Sequence, residues 1–483
     1  MCVSALFGND HSVRKLSLWL FFGLVITYGY FVQTIDNAQV VTRLGLTVSL
    51  IEDQRLTIDR FEKYTKDKSP INGHYYTDKP PGLSLLALPT VAVVRGMVSL
   101  SGHDPASMSP DGPTAAFKIY AYAATLGTVG VLTALAAVMV LRVALALGIA
   151  LEGALFGALA FGLGTPAFGW ATAFFGHAAT GGLLFLAFGT IVLSVADDIG
   201  FAPFMRRLGV VGLLLGLAVS VEIISAVAGA ALGVFALVVA GQRWRWSGGV
   251  AASLALVLGG LIGVAPLLIY DTLAFGSPLN TGYANVVGFP GMNVGFFGIS
   301  APNPGVIGAL LFGAYRGLLP LAPVLILVPV GLWGMIREPR RRGAALVCLA
   351  VGLSYLAINS GYYYWDGGAA TGPRYLVPTL PFAGLALACV WSMGRFIKPV
   401  CLTLLLLSIA LSTLCASVDM FAVRTIAAPV GDYLIPAFLD GRIRSVTTFA
   451  GLGGVLSVSP LLLVWALIWT QMRAVSIAAP ARN

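Results

Sequence analysis

The sequence predicts an all-α polytopic membrane protein, with about twelve apolar helical segments and a large polar loop after the first of them. Three observations carry this. Hydrophobic residues make up 58% of the chain and charged residues 10%, with a mean hydropathy of +0.89, whereas a soluble domain is nearer a quarter charged. Apolar runs close to the roughly 20 residues that span a bilayer recur from end to end. The bases fall in short clusters between those runs, as the positive-inside bias requires. The formal charge of +9 therefore reads as membrane orientation and not as a nucleic-acid footprint. Cys2, Cys348, Cys389, Cys401 and Cys415 show no CxxC and no metal-ligand spacing, so neither a disulfide framework nor a zinc site is expected.

Arg14 and Lys15 precede the first apolar run and hold the N-terminus inside, with the run read as an uncleaved anchor. Residues 17–33 then cross outward. Residues 34–115 form a first outer loop, in which the apolar stretch 83–101 lies along the interface. That choice puts every strong basic cluster on the inner side. Crossing runs follow at 116–141, 147–168 and 178–195, the last leading to Arg206-Arg207. Residues 208–241 read as two short, glycine-broken half-helices that dip in and return to Arg243 and Arg245. A run at 249–270 exits to an outer loop over 271–313, and 314–336 returns to the bases Arg337–Arg342. Runs at 343–358, 375–393, 399–416 and 452–472 complete the bundle, with a last outer loop at 417–450. No internal repeat is visible, so 1–483 reads as one membrane domain.

On this topology the chemistry collects on the outer face. The first loop supplies Asp36, Arg43, Asp59, His74, Tyr76, Asp78 and Lys79. Later turns add His177, Asp271, Tyr283, Asp366, Arg374 and Tyr375. A carboxylate can take a proton from an acceptor group, and Lys79, Arg43 and Arg374 can neutralise a phosphate. Each residue also has a plainer role open to it. Asp36 suits a helix cap. Asp59 has Arg55 and Arg60 for neighbours, and Asp78-Lys79 suits a local pair at the Pro80-Pro81 turn. His177 suits a structural hydrogen bond, and the Tyr362–Trp365 run an interfacial belt. Glu222 is costly in lipid and must face the protein interior.

Gly73-His74-Tyr75-Tyr76-Thr77-Asp78-Lys79-Pro80-Pro81 resembles the signature that closes the first outer loop of the C-type integral-membrane glycosyltransferases. More narrowly, it resembles their lipid-carrier-dependent bacterial branch, related to protein O-mannosyltransferases and the lipid A aminoarabinose transferase. Leu56–Asp59, Phe174–His177, Phe275–Pro278 with Gly282-Tyr283, and Gly372–Pro378 fit the same group, so the matches run from about residue 30 to about 380.

The resemblance implies a membrane bundle whose first outer loop carries amphipathic helices, in a bacterial cytoplasmic membrane with the active face periplasmic. It implies a polyprenyl-phosphate-linked sugar donor and a lipid, glycan or protein acceptor, with inversion at the sugar. An acid just after the first helix would be the base. That position here reads Asp36-Asn37, where the family commonly has Asp-Glu, so Asp36 leads and Asp59 and Asp78 remain candidates. Lys79, Arg43 and Arg374 would hold the donor phosphate, and His74, Tyr76, His177, Tyr283, Asp366 and Tyr375 would line the substrate site. No nucleotide cofactor is implied, and a divalent metal is compatible but not demanded by any ligand spacing. A transporter or flippase is the rival class, on the strength of the half-helices at 208–241 and Glu222. A non-catalytic scaffold is the third, because Asn37 replaces the second acid.

Overall fold

Asp10 opens the bundle. Its carboxylate accepts from the Ser12 and Val13 N–H groups at 2.9 and 3.2 Å, satisfying two donors that the first helical turn leaves free. The computed structural model describes residue 7, residues 10–102 and residues 105–478; Cys2 and the His103-Asp104 pair lie outside these. Helix α1 (His11–Tyr30) ends where Phe31 turns extended. Gln33 then ties the chain to the far C-terminal part. Its amide donates to Ala416 O at 2.6 Å, and its oxygen accepts from Met420 N at 3.0 Å.

Asn37, not Asp36, caps α2 (Ala38–Val48), accepting from Gln39 N at 3.0 Å. The loop next forms a hairpin of β1 (Lys68–Ile71) and β2 (His74–Thr77). Asn72 and Gly73 turn it with φ of 52° and 81°, the two left-handed positions of a tight hairpin turn. Helix α3 (Gly82–Leu100) contains Pro89. Gly82 packs so closely on the Ser220 and Val221 backbone that a Cβ there would collide with it. After α3 the chain comes back to the loop, where the Ala106 carbonyl accepts from Arg60 and its N–H donates to Glu52 at 3.4 Å.

The bundle continues with α4 (Ala115–Ala146), α5 (Leu151–Gly164), α6 (Gly176–Ala196) and α7 (Phe201–Val221). Ser225–Phe275 is two helices joined at a kink, where Trp244 and Arg245 leave helical geometry; α8 is 225–243 and α9 is 246–275. The next return is broken into α10 (Pro304–Phe312), short turns over 318–327, and α11 (Val328–Arg337). Then come α12 (Pro339–Gly361), α13 (Leu380–Val390), α14 (Ile397–Val418) and α15 (Ser459–Ala478). Among the described residues nine helices are long and apolar enough to cross a membrane, with α8 and α9 counted together. The chain is a multi-pass membrane protein of the class the sequence predicts.

The half-helix reading of 208–241 does not hold. Helix α7 has 21 residues, and α8 runs back alongside the bundle to the kink at Trp244. The glycines are packing contacts and not breaks. Gly209, Gly212 and Gly216 meet Gly259, Gly260 and Gly263 of α9 backbone to backbone. Small residues allow that approach in lipid. The real break is Glu222–Ile224, between α7 and α8.

The bases gather at one end. Tyr28 of α1 donates to Gly162 O at 2.9 Å, so the close of α5 lies with the loop end of α1 and its start at the opposite end. There Lys398 pairs with Glu152 at 2.6 Å, and Arg341 donates to Leu147 O and Gly148 O at 3.0 and 2.9 Å. Arg207 pairs with Asp197 at 3.0 Å, and Arg243 with Asp198. The four cysteines described are free and buried.

Candidate active site

A cavity of about 580 Å³ opens at the loop end. The start of α2, the base of the hairpin, the α7–α8 break, the 276–303 loop, the end of α12 and the start of the 374–393 segment all border it. Most of its wall is apolar or aromatic, and a few charged groups converge on it, the usual character of a ligand site.

The hairpin places the cation. Its register pairs Lys68 with Thr77, and continuing one residue sets Asp67 opposite Asp78. Lys79 lies between them, its Nζ 2.6 Å from Asp78 and 3.7 Å from Asp67. The ammonium also faces the rings of Tyr283 and Phe289, at 5.4 and 5.5 Å. All three charged side chains are buried. Burial pushes the Asp78 carboxyl up to about 6, against the pull of Lys79. Burial also works against the ammonium, but Asp67 and Asp78 together hold it above its ordinary value.

Lys66 and Arg374 are the other cations on the cavity wall, and Arg374 is the one in its interior. It is buried, lies over the Tyr375 ring at 5.0 Å and donates to the Tyr375 hydroxyl at 3.2 Å. His177 stacks edge-on against Tyr375 at 5.3 Å. Arg374 Nε, His177 Nε2 and Asp67 Oδ1 are buried without a hydrogen-bond partner, an arrangement that calls for an explanation in a folded protein. All three residues line the cavity, so a polar ligand there would complete them.

Asp36 lines the mouth. It is exposed, and its carboxylate makes no hydrogen bond or ion pair among the described residues; with Asn37 as the cap, the capping role is excluded. Lys79, Arg374, His177, Tyr283 and Tyr375 stand on the same cavity, as expected.

Other expected residues lie elsewhere. Arg43 is buried under the loop, donating to Glu222 at 2.7 Å and to Pro80 O at 3.4 Å. It does not reach the cavity; Glu222 does. Asp59 accepts from the His74 ring at 2.8 Å and from Tyr75 N at 2.7 Å. Against the cost of burial, those two donors hold its carboxyl below the usual carboxylate range. His74, at the outer part of the hairpin, holds Asp59 there, whereas only the hairpin's base reaches the cavity. Tyr76 packs on Phe275 at 5.8 Å. Asp78 is beside the cavity and not on its wall, with its charge turned to Lys79. Asp366 accepts from Arg424 at 2.6 Å and Tyr315 at 3.1 Å, while fully buried Arg316 clamps the Asp366 and Gly368 carbonyls at 3.0 and 2.8 Å. Asp366 thus shapes the turn that presents Tyr364 and Gly367, and does not line the site. Asp271, a turn before the end of α9, does not reach the cavity.

The residue the sequence reading missed is Asp67. Asn72-Gly73 is a hairpin signal, and its register leads to Asp67 within Lys66-Asp67-Lys68. Among the described residues no three His, Cys, Asp or Glu side chains converge as a metal-ligand set.

No protein-family model matches the sequence, and no curated protein matches it. The fold is similar to that of ArnT from Cupriavidus metallidurans. The form bound to undecaprenyl phosphate superposes with a TM-score of 0.52 at 16% identity, covering 95% of this chain and 75% of that one. The apo form gives 0.50 at 16% identity, covering 94% and 73%. At this identity the likeness is one of fold, and it agrees with the fold that the loop motifs implied.

Proposed function

We propose that this chain transfers a sugar from a polyprenyl-phosphate carrier to an acceptor hydroxyl or amine at the loop end of the bundle. The observation that carries this is the convergence of Lys79, Arg374 and the unpaired Asp36 carboxylate on one apolar-walled cavity. The undecaprenyl phosphate bound to the ArnT of similar fold supports the choice of donor. Lys79 and Arg374 bind the carrier phosphate. Asp36 takes the acceptor proton as the acceptor attacks the anomeric carbon. The bond from that carbon to the phosphate oxygen breaks with its electron pair, the sugar inverts, and the two cations neutralise the departing phosphate. Tyr362, Tyr364 and Phe289 offer flat faces for the sugar, with His177 Nε2 and Asn359 as polar partners. The active face is periplasmic on this reading, because the basic end is the inner one.

The flippase reading loses its support. The half-helices are full helices, and Glu222 is paired with Arg43.

Purified protein incubated with radiolabelled polyprenyl-phosphate sugars and a membrane lipid extract should yield labelled product. Asp36→Asn should lower turnover by at least ~100-fold, the usual worth of a general base, while Asp59→Asn should stay near wild type. Full activity in Asp36→Asn would move the role of base to Asp67.

A further inference from the structure

A second cavity, of about 940 Å³, opens at the basic end. Its walls are aliphatic, with Val192 and Val195 from α6, Val234 and Val238 from α8, and Leu346 and Val347 from α12. Val195, Val234, Val238 and Leu346 are between 44% and 62% exposed, so this hollow opens sideways, towards lipid. Its polar lining is Gln242, Arg340 and Arg342, all at the basic end.

The two arginines are under-used. Arg340 donates to Ala146 O at 2.9 Å, and Arg342 Nε to Ile336 O at 3.0 Å. Among the described residues no carboxylate pairs with either, whereas neighbouring Arg207 and Arg243 each have an aspartate. The first turn of α12 holds no acid, so positive charge is stacked where the helix dipole is also positive. Glu338, at the N-cap, is the acid beside this turn, and among the described residues it forms an ion pair with neither arginine.

We propose that this cavity binds an anionic phospholipid from the leaflet at the basic end. The phosphate lies against Arg340 and Arg342, and an acyl chain fills the hollow between α6, α8 and α12. The guanidiniums bond the phosphate in two-pronged fashion, and net charge selects the head group, because the quaternary ammonium of a choline lipid would stand against the two arginines. The volume lies within the roughly 300–1,000 Å³ of sites that enclose a single ligand. The site is separate from the candidate active site, which the opposite ends of α8 and α12 border through Val227 and Asn359.

Native mass spectrometry of the delipidated protein, titrated with phosphatidylglycerol or phosphatidylcholine, tests this. The wild type should retain phosphatidylglycerol at least about tenfold better, because the choline ammonium is repelled by the two arginines. Arg340→Gln/Arg342→Gln should lose that preference. Val238→Trp fills the hollow while sparing the arginines, and it should expel the bound lipid. An unfolding transition in detergent like that of the wild type reports that each variant is folded and does not depend on any transfer activity. Equal retention of both lipids by the wild type overturns the proposal, as does a preference that survives both variants. Displacement of phosphatidylglycerol by equimolar polyprenyl phosphate would assign the hollow to the carrier's tail instead.

Discussion

Lys79 shares its ammonium between two buried carboxylates, so its pull on a phosphate depends on pH. Asp78 has its carboxyl pushed up to about 6 by burial. Below that pH it is neutral, and the net charge around Lys79 rises by one. A phosphodiester-linked donor analogue keeps its own charge in this range, so its affinity should increase as pH falls from about 7.5 to about 5.5. Asp78→Asn should flatten the profile, as read by calorimetric titration. Weaker binding at the lower pH would put the phosphate elsewhere. Asp36, Lys79, Arg374, His177 and Tyr283, singled out from local motifs, all line the cavity. Arg43 and Asp366 do not line it, because each is drawn to a remote partner, Glu222 at 179 residues and Arg424 at 58. No local pattern carries such pairings.

Glu222 opens the break between α7 and α8, and its ion pair to Arg43 fastens that break to the first loop. Both side chains are almost fully buried, at 1% and 9% exposure. Removing one partner strands the other charge, which costs on the order of 3–5 kcal/mol. Glu222→Gln should therefore lower the unfolding temperature in detergent markedly, while Arg43→Met/Glu222→Met should recover most of the loss. Equal stability of Glu222→Gln and wild type would mean the pair is solvated and holds nothing. The intramembrane acid was legible as inward-facing from its cost in lipid alone. The helices around it were not. Glycines that break a soluble helix and glycines that let two membrane helices touch look alike in sequence, and only the facing set on α9 tells them apart.

The bundle has a basic end and a loop end, and its orientation decides where any transfer takes place. The hairpin tip at Asn72 and the exposed loop at Ala301 lie at the loop end, and exposed Glu338 at the basic end. Single cysteines at Asn72 and Ala301 should react with an impermeant thiol reagent in spheroplasts, and one at Glu338 should not. The reverse pattern would invert the protein. Helix α4, with 32 residues, is about 48 Å long at 1.5 Å per residue, against about 30 Å of hydrocarbon. Helix α3, itself long and apolar enough to cross, packs beside the first turns of α4 and leads back to the loop at Ala106. Fold class was readable throughout, because hydropathy sets the crossings and charge sets their direction. Loop geometry was not, because it rests on pairings between distant segments. Equilibrium binding of polyprenyl phosphate to the intact protein tests the proposed site most directly. Each charge-assisted bond should contribute about 1.5–3 kcal/mol, so Lys79→Met should weaken binding roughly tenfold or more. Arg374→Lys should weaken it too, since a point charge cannot replace a fork, while Arg424→Gln, whose partner Asp366 lies off the cavity, should change little. Wild-type affinity in both Lys79→Met and Arg374→Lys would contradict a phosphate site in this cavity.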